Sequence, residues 1–343
     1  MSAGSLPSAA ATKLPDVFQR LGPQMAALDR FVQAQVASFE PEIRPMAAYC
    51  LESSGKRLRP TLVFIAGWRG EGVVSDELVR AAGVVEMVHL ATLVHDDIMD
   101  RAELRRNRGT ATREFGPDAA VLLGDALFAQ ALHGASQFPS REVCLAVSES
   151  TRKVCSGEIM QTLHRRDLGV TLEAYYRVID LKTAELFRVS CNLGAKLAGY
   201  PPEFVCAAND FGRHLGIAYQ IYDDLVDFLG DETRIGKTLG TDLASGKLTL
   251  PLMLLLERLG AGERAELIDA LSGRKPLPLS ASVERMRALG IADGVAAAIE
   301  QELGKAAQVL APYATLSPVP LMMQLTEMLK SQLRALYSGS TKP

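Results

Sequence analysis

Two short acidic stretches decide how this chain is read: His95-Asp96-Asp97-Ile98-Met99-Asp100 and Tyr222-Asp223-Asp224-Leu225-Val226-Asp227. Both carry the spacing D-D-x-x-D, and both follow apolar sequence of helical character, Val84 to Val94 for the first and Phe211 to Ile221 for the second. Helix residues four apart share a face, so Asp96 and Asp100 project together, as do Asp223 and Asp227. Three carboxylates within little more than one turn repel each other. At about 4 Å and an effective dielectric near 20, each pair costs on the order of 4 kcal/mol. A solvated acidic patch at a helix end would explain one such run, but not two of identical spacing in the same apolar setting. The pattern therefore predicts bound cations. Hard oxygen donors select magnesium, and sparse carboxylates that leave water on the ion suit a magnesium shared with substrate phosphates.

The remaining composition is that of a globular protein with ample material for a core: 343 residues, 48% of them hydrophobic, with a net charge of −3. No basic tract accompanies that charge, which argues against nucleic acid as a partner. The cysteines Cys50, Cys144, Cys155, Cys191 and Cys206 are scattered and lack metal-ligand spacing, as expected of buried thiols in a reducing compartment. No apolar stretch approaches the roughly 20 residues of a membrane span, and the run Leu248 to Leu256 is short and contains Pro251. Residues 1–14, rich in Ala and Ser, read as a disordered lead-in and not as a signal peptide. A cytoplasmic location follows, with peripheral membrane contact as the route for releasing a lipid product.

Helical periodicity dominates, over 15–38, 41–53, 59–68, 75–93, 117–134, 140–163, 171–197, 202–228, 247–259, 262–271, 279–288, 290–310 and 318–337. Breakers separate these segments, among them Gly55, Gly70-Glu71-Gly72, Gly116-Pro117 and Gly199-Tyr200-Pro201-Pro202. No linker divides the chain and no repeat recurs, so 15–338 reads as a single all-α domain. Its longest loop, Gly230 to Gly246, follows the second acidic motif directly, as a lid would.

Basic residues surround the acidic motifs: Gly55-Lys56-Arg57-Leu58-Arg59-Pro60, Arg105-Arg106, Lys182-Thr183, Gly236-Lys237-Thr238 and Gly246-Lys247. Arginine forks and lysine point charges are the usual ligands of phosphate oxygens. Any one of them alone reads as a surface cation; clustered around two acidic sites they read as phosphate ligands. Gly236-Lys237-Thr238 is not a P-loop, because Asp231 stands where that motif needs glycine and no strand precedes it. One chemistry uses all of these parts: metal-assisted departure of diphosphate from an allylic carbon. Cations stabilise charge on the leaving group, an apolar cavity shields the carbocation from water, and a second diphosphate substrate supplies the attacking double bond.

In these motifs the sequence resembles the trans-isoprenyl diphosphate synthases of the polyprenyl synthetase family, most of all the long-chain all-trans enzymes. The resemblance runs from about Lys56 to Pro251 through GKRLRP, HDDIMD followed by ELRR, LLGDALF, KTAELF, YQIYDDLVD and GKTLGTDLASGKLTLPL. It implies an isoprenoid synthase-type bundle of about 10–13 helices around a central cavity. Asp96, Asp97, Asp100, Asp223, Asp224 and Asp227 would hold about three Mg²⁺, with Mn²⁺ able to substitute. Arg105, Lys182, Thr183, Gln220, Lys237 and Lys247 would contact the allylic diphosphate, and Lys56, Arg59, His89 and Arg106 isopentenyl diphosphate. No side-chain base is implied; the released diphosphate takes the proton. His95 is left a structural role or one behind the metal ligands, and homodimerisation is implied. Asn107, where many members have glycine, and the unmatched end from Leu333 to Pro343 are departures.

By the same resemblance the growing chain runs beside the helix of the first motif, with Ala91 and Thr92 on its upper wall. Short-chain members place aromatic side chains there; neither residue here is large. A helical turn of about 5.4 Å is comparable to one extended isoprene unit, and each added unit buries about five carbons, worth roughly 4 kcal/mol. Elongation proceeds until something bulky blocks it. The expected product is about C30 to C50, with Met87, Val88, Leu122, Leu123, Phe128 and His133 as candidate floor residues. The alternatives are a geranylgeranyl or farnesyl diphosphate synthase, or a partner subunit of a heteromeric synthase. Intact acidic motifs argue against the partner subunit, and against terpene cyclases, which normally replace the second. The GKRLRP context does not match head-to-head synthases.

Overall fold

Apolar residues recurring at helical spacing fold into an all-α bundle. The computed structural model describes residues 15–52, 55–105, 108–232 and 238–339. Helices α1 (Pro15–Arg20), α2 (Gly22–Ser38), α3 (Arg44–Glu52) and α4 (Leu58–Ala66) precede α5 (Asp76–Met99), which carries the first acidic motif. A two-residue antiparallel hairpin, β1 (Leu104–Arg105) with β2 (Arg108–Gly109), and α6 (Ala111–Phe115) lead to α7 (Pro117–Ser136) and α8 (Arg141–Leu163). Next, α9 (Leu172–Ile179) passes through a π-helical turn, Asp180–Ala184, into α10 (Glu185–Leu197). The second motif lies on α11 (Pro202–Leu229). It is followed by α12 (Thr241–Ser245), α13 (Leu250–Arg258), α14 (Ala261–Leu271), α15 (Leu279–Ala288), α16 (Ile291–Leu310) and α17 (Val319–Gly339).

Local signals place these boundaries. Ser75 caps α5 by accepting from the Leu78 amide, and Asp76 and Glu77 fill its first turn, where the helix dipole favours negative charge. Thr110, Ser140 and Thr171 cap α6, α8 and α9 in the same way. The interior is one connected apolar core, in which α5 packs on α4 and α7, α10 on α4 and α11, and α11 on α16. Phe64, Phe187, Phe204, Phe211 and Ile221 are fully buried there. Contrary to the sequence reading, α5 is long and apolar enough to cross a membrane, but 72% of its apolar window is buried inside the bundle, as suits a core helix.

Four boundaries differ from expectation. The 15–38 segment breaks at Leu21 because Pro23 has no amide hydrogen to continue the ladder. The helix expected to end near 93 continues to Met99, so Asp96 and Asp97 are helical and Asp100 closes the helix. The loop expected over 230–246 contains α12, and 233–237 lie outside the described residues, as does the expected lead-in 1–14.

The fourth is the π-helical turn, which interrupts the helix expected over 171–197 and widens it by one residue per turn. Glycines let two helices close on that turn. A Cβ at Gly157 of α8 would lie 2.6 Å from the Lys182 amide nitrogen, and one at Gly216 of α11 would lie 2.6 Å from Ala184 Cα. Gly157→Ala is expected to cost about 1–3 kcal/mol by overpacking, read as a lower urea midpoint. An unchanged midpoint would show that α8 retreats freely and that the close contact carries no weight.

Candidate active site

Both acidic motifs end their helices, where the backbone dipole is negative and itself disfavours carboxylates. Cations from other elements meet the first motif. Lys182, from the π-helical turn, sets Nζ 3.4 Å from Asp96 Oδ2, donates to Gln161 Oε1 at 2.8 Å and pairs with Glu158. Burial works against its charge, yet Asp96 and Glu158 outweigh it and hold the ammonium above the usual lysine range. Lys247 donates to Asp100 Oδ2 at 3.0 Å, and Arg165 pairs with Asp100 Oδ1. Burial alone would push the Asp100 carboxyl up; Lys247, then Lys182 and Arg165, bring it below the ordinary value. Asp97 turns away from this face. Arg105 Nε reaches both its oxygens at 2.9 and 3.0 Å, and Nη2 reaches Oδ1 at 2.7 Å. Burial nonetheless raises the Asp97 carboxyl.

The second motif is held by hydrogen bonds. Thr183, next to Lys182, donates to Gln220 Oε1 at 2.6 Å, and Gln220 donates to Asp224 Oδ1 at 2.7 Å. Tyr175 of α9 donates to Asp224 Oδ2 at 2.6 Å, and burial together with that carboxylate pushes its phenol well above the usual range. Asp227 accepts from Thr241 Oγ1 at 2.9 Å and the Asp242 amide at 3.0 Å, and its carbonyl accepts from Gly240. It therefore fastens α12, and with it the turn that delivers Lys247. Asp223 is half-buried.

Arg59, at the start of α4, lies 2.9 Å through Nη1 from His89 Nε2 and 5.2 Å from the Phe187 ring centroid. Arginine only donates, so Nε2 accepts and His89 carries its proton on Nδ1. Lys56 is exposed just before α4. Of the expected site residues, Arg106 and Lys237 lie outside the described residues.

Among the described residues, no three acidic, imidazole or thiol groups converge as a preformed metal cluster. The donors nevertheless fit a hard divalent ion: Asp96 and Asp100 share one face with oxygen as the only ligand atom on offer. Asp97, Asp224 and Asp227 are 2–5% exposed, and the oxygens of each already accept from protein donors. Of the six aspartates expected as ligands, Asp96, Asp100 and Asp223 are the more exposed, although Lys182 already meets Asp96 and Lys247 and Arg165 already meet Asp100.

A family model for the polyprenyl synthetases matches residues 40–286. The chain belongs to the polyprenyl synthetase family. It is 34% identical over 288 residues to the octaprenyl diphosphate synthase of Escherichia coli, covering 83% of this chain and 88% of that protein. Its fold is similar to that of a polyprenyl synthase from Caulobacter crescentus CB15, crystallised with calcium and isoprenyl diphosphate (TM-score 0.87, 29% identity, 94% of this chain and 98% of that one). It is also similar to a decaprenyl diphosphate synthase from Rhodobacter capsulatus (TM-score 0.86, 30% identity, 93% and 99%).

Around the family motifs the structure adds residues that sequence reasoning missed: Glu158 and Gln161 on Lys182, Tyr175 on Asp224, and Arg165 on Asp100. The spacing Glu158-x-x-Gln161 at the end of α8 was the available signal. Of the tunnel candidates, Ala91, Met87, Val88 and Leu123 are buried and Thr92 is half-buried. Leu122, 67% exposed, and His133 face outward from α7, so neither floors a tunnel inside this bundle. His95 has the expected structural place: Nε2 lies 3.1 Å from the Val121 carbonyl, and its ring packs on Phe128 and fills the space above Gly124.

Tyr175→Phe would leave a buried carboxylate one donor short. The expected loss is about 1.5–3 kcal/mol of unfolding free energy, measured by denaturant titration. Unchanged stability would mean that the Tyr175–Asp224 bond is dispensable.

Proposed function

We propose that this chain is a prenyltransferase that condenses isopentenyl diphosphate head-to-tail with an allylic diphosphate, releasing an all-trans polyprenyl diphosphate of about C30 to C50. The observation that carries this reading is the gathering of cations from other elements on the first acidic helix end, with Lys182 there and the adjacent Thr183 linked through Gln220 to the second. The long-chain names of relatives such as the octaprenyl and decaprenyl diphosphate synthases, and the small residues Ala91 and Thr92, support the product length, although a short-chain isoprenyl diphosphate synthase is also among the relatives.

Asp96, Asp100 and Asp223 are the residues we assign to divalent ions, Mg²⁺ by their oxygen-only donor set. When bound, such ions supply positive charge for the departing diphosphate. Lys182, Lys247 and Arg105 add cations toward the same group, Lys237 would join them by the family resemblance, and Thr183 and Gln220 supply hydrogen bonds. The allylic carbon–oxygen bond breaks with its electron pair leaving on the diphosphate. The double bond of isopentenyl diphosphate, held by Lys56, Arg59, Arg106 and His89, attacks the resulting cation. The new carbon–carbon bond forms, and loss of a proton to the released diphosphate restores a double bond.

Exposed apolar side chains on α7 and α8, among them Val121, Leu122, Leu145 and Ile159, support pairing of two copies through these neighbouring helices. Water-soluble diphosphate substrates and cysteines without a disulfide support a cytoplasmic setting, with membrane contact confined to product release, although Cys155 and Cys206, expected to be buried, are exposed.

The test is purified protein with Mg²⁺, labelled isopentenyl diphosphate and, separately, dimethylallyl, geranyl and farnesyl diphosphates. Products beyond C20 are expected, and Ala91→Phe shortens them. Products stopping at C15 or C20 would overturn the long-chain assignment. No elongation by folded protein with any primer would overturn the self-sufficient enzyme and favour a partner-subunit role.

A further inference from the structure

Arg165 lies outside every motif that carries the family resemblance, yet it reaches the centre of the site. It follows α8 in the turn His164–Asp167 and pairs with Asp100 Oδ1, while its Nη1 donates to the Met99 carbonyl at 3.1 Å. It thus satisfies one of the carbonyls left open at the end of α5. Lys247 holds the other oxygen of the same carboxylate at 3.0 Å. The two cations come from turns that are stapled together. The Arg166 amide donates to the Gly246 carbonyl at 2.8 Å, Arg166 and Gly246 both take left-handed backbone angles (φ 63° and 69°), and a Cβ at Gly246 would lie 2.6 Å from Arg166 Cγ.

This arrangement conflicts with metal binding at Asp100. A divalent ion on that carboxylate meets two positive groups already bound to its two oxygens, and like charges a few ångströms apart repel strongly at moderate dielectric. Departure of one cation would relieve that repulsion. Lys247 is the more enclosed of the two, with 13% of its side chain exposed against 24% for Arg165. The Arg165 Nε is buried with no hydrogen-bond partner, as is Nδ1 of the adjacent His164. A guanidinium with an idle donor beside a carboxylate is a stored anion ligand, and its planar fork matches phosphate oxygens.

We propose that Arg165 is a further ligand of the allylic diphosphate, parked on Asp100 while the metal is absent and transferred to the diphosphate when Asp100 takes a divalent ion. Metal and diphosphate binding are then linked, because the guanidinium displaced by one is received by the other. This rests on reading the carboxylate face as the metal and diphosphate site.

The experiment uses full-length protein, Mn²⁺ as a spectroscopic probe and inorganic pyrophosphate, with wild type, Arg165→Gln and Arg165→Lys. Mn²⁺ affinity without pyrophosphate is read by electron paramagnetic resonance, pyrophosphate affinity at saturating Mn²⁺ by calorimetry, and folding by circular dichroism. Arg165→Gln is expected to bind pyrophosphate at least tenfold more weakly while binding Mn²⁺ alone at least as tightly as wild type. Arg165→Lys, which keeps the charge and loses the fork, falls between, and it carries the test if the Gln variant does not fold. Wild-type pyrophosphate affinity in both variants overturns the proposal. So does a loss of Mn²⁺ affinity that accounts for the whole loss of pyrophosphate, which would reduce Arg165 to a support for Asp100. Failure of wild type to bind pyrophosphate with Mn²⁺ overturns the underlying site reading as well, and so is distinguishable.

Discussion

Carboxylates are crowded onto the negative ends of two long helices, and the architecture around them answers that constraint. In isolation the arrangement is unfavourable twice over, through mutual repulsion and through the helix dipoles. The chain offsets it with cations drawn from elements far away in sequence: Lys182 from the π-helical turn, Lys247 from beyond the second motif, Arg105 from the hairpin and Arg165 from the end of α8. Each contact fastens one segment to the first motif. The charge that makes the site suitable for divalent ions is therefore also what locates the surrounding segments.

The π-helical turn is where the two motifs are brought to one place. Lys182 and Thr183 are adjacent in sequence but face different partners, the first toward Asp96 and α8, the second toward Gln220 and through it Asp224. Gly157 and Gly216 allow α8 and α11 to reach backbone contact with that turn. A second connection closes the circuit, since Asp227 fastens α12, the Lys247 amide donates to the Asp242 carbonyl, and Lys247 returns to Asp100. Displacement of either lysine by a ligand would thus be felt at both acidic helices.

Much of this was legible from residues alone. Helical period and breakers gave most elements, because amphipathic spacing and caps act locally. The acidic spacing identified the site because Asp96 and Asp100 must share a face of any helix that carries them. The differing surroundings of the six aspartates were not legible. Asp97, Asp224 and Asp227 have the same sequence signature as the others, and only the folded structure brings Arg105, Tyr175 and Thr241 onto them. The π-helical turn was also hidden, since no breaker within the segment marks it and the glycines that pack against it lie on other helices. Leu122 and His133 were misplaced because an apolar stretch on α7 does not declare which of its faces meets α5.

The most direct measurement is the thermal melting of the full chain with Mg²⁺ alone, with pyrophosphate alone and with both. A saturating ligand that binds only the folded state stabilises it by about 2.7 kcal/mol at a hundred times its dissociation constant. If protein cations and divalent ions exchange places on the same carboxylates, the two ligands together raise the melting temperature well beyond the sum of their separate effects. A full shift with pyrophosphate alone, indifferent to Mg²⁺, would contradict that account and mark the acidic helix ends as structural.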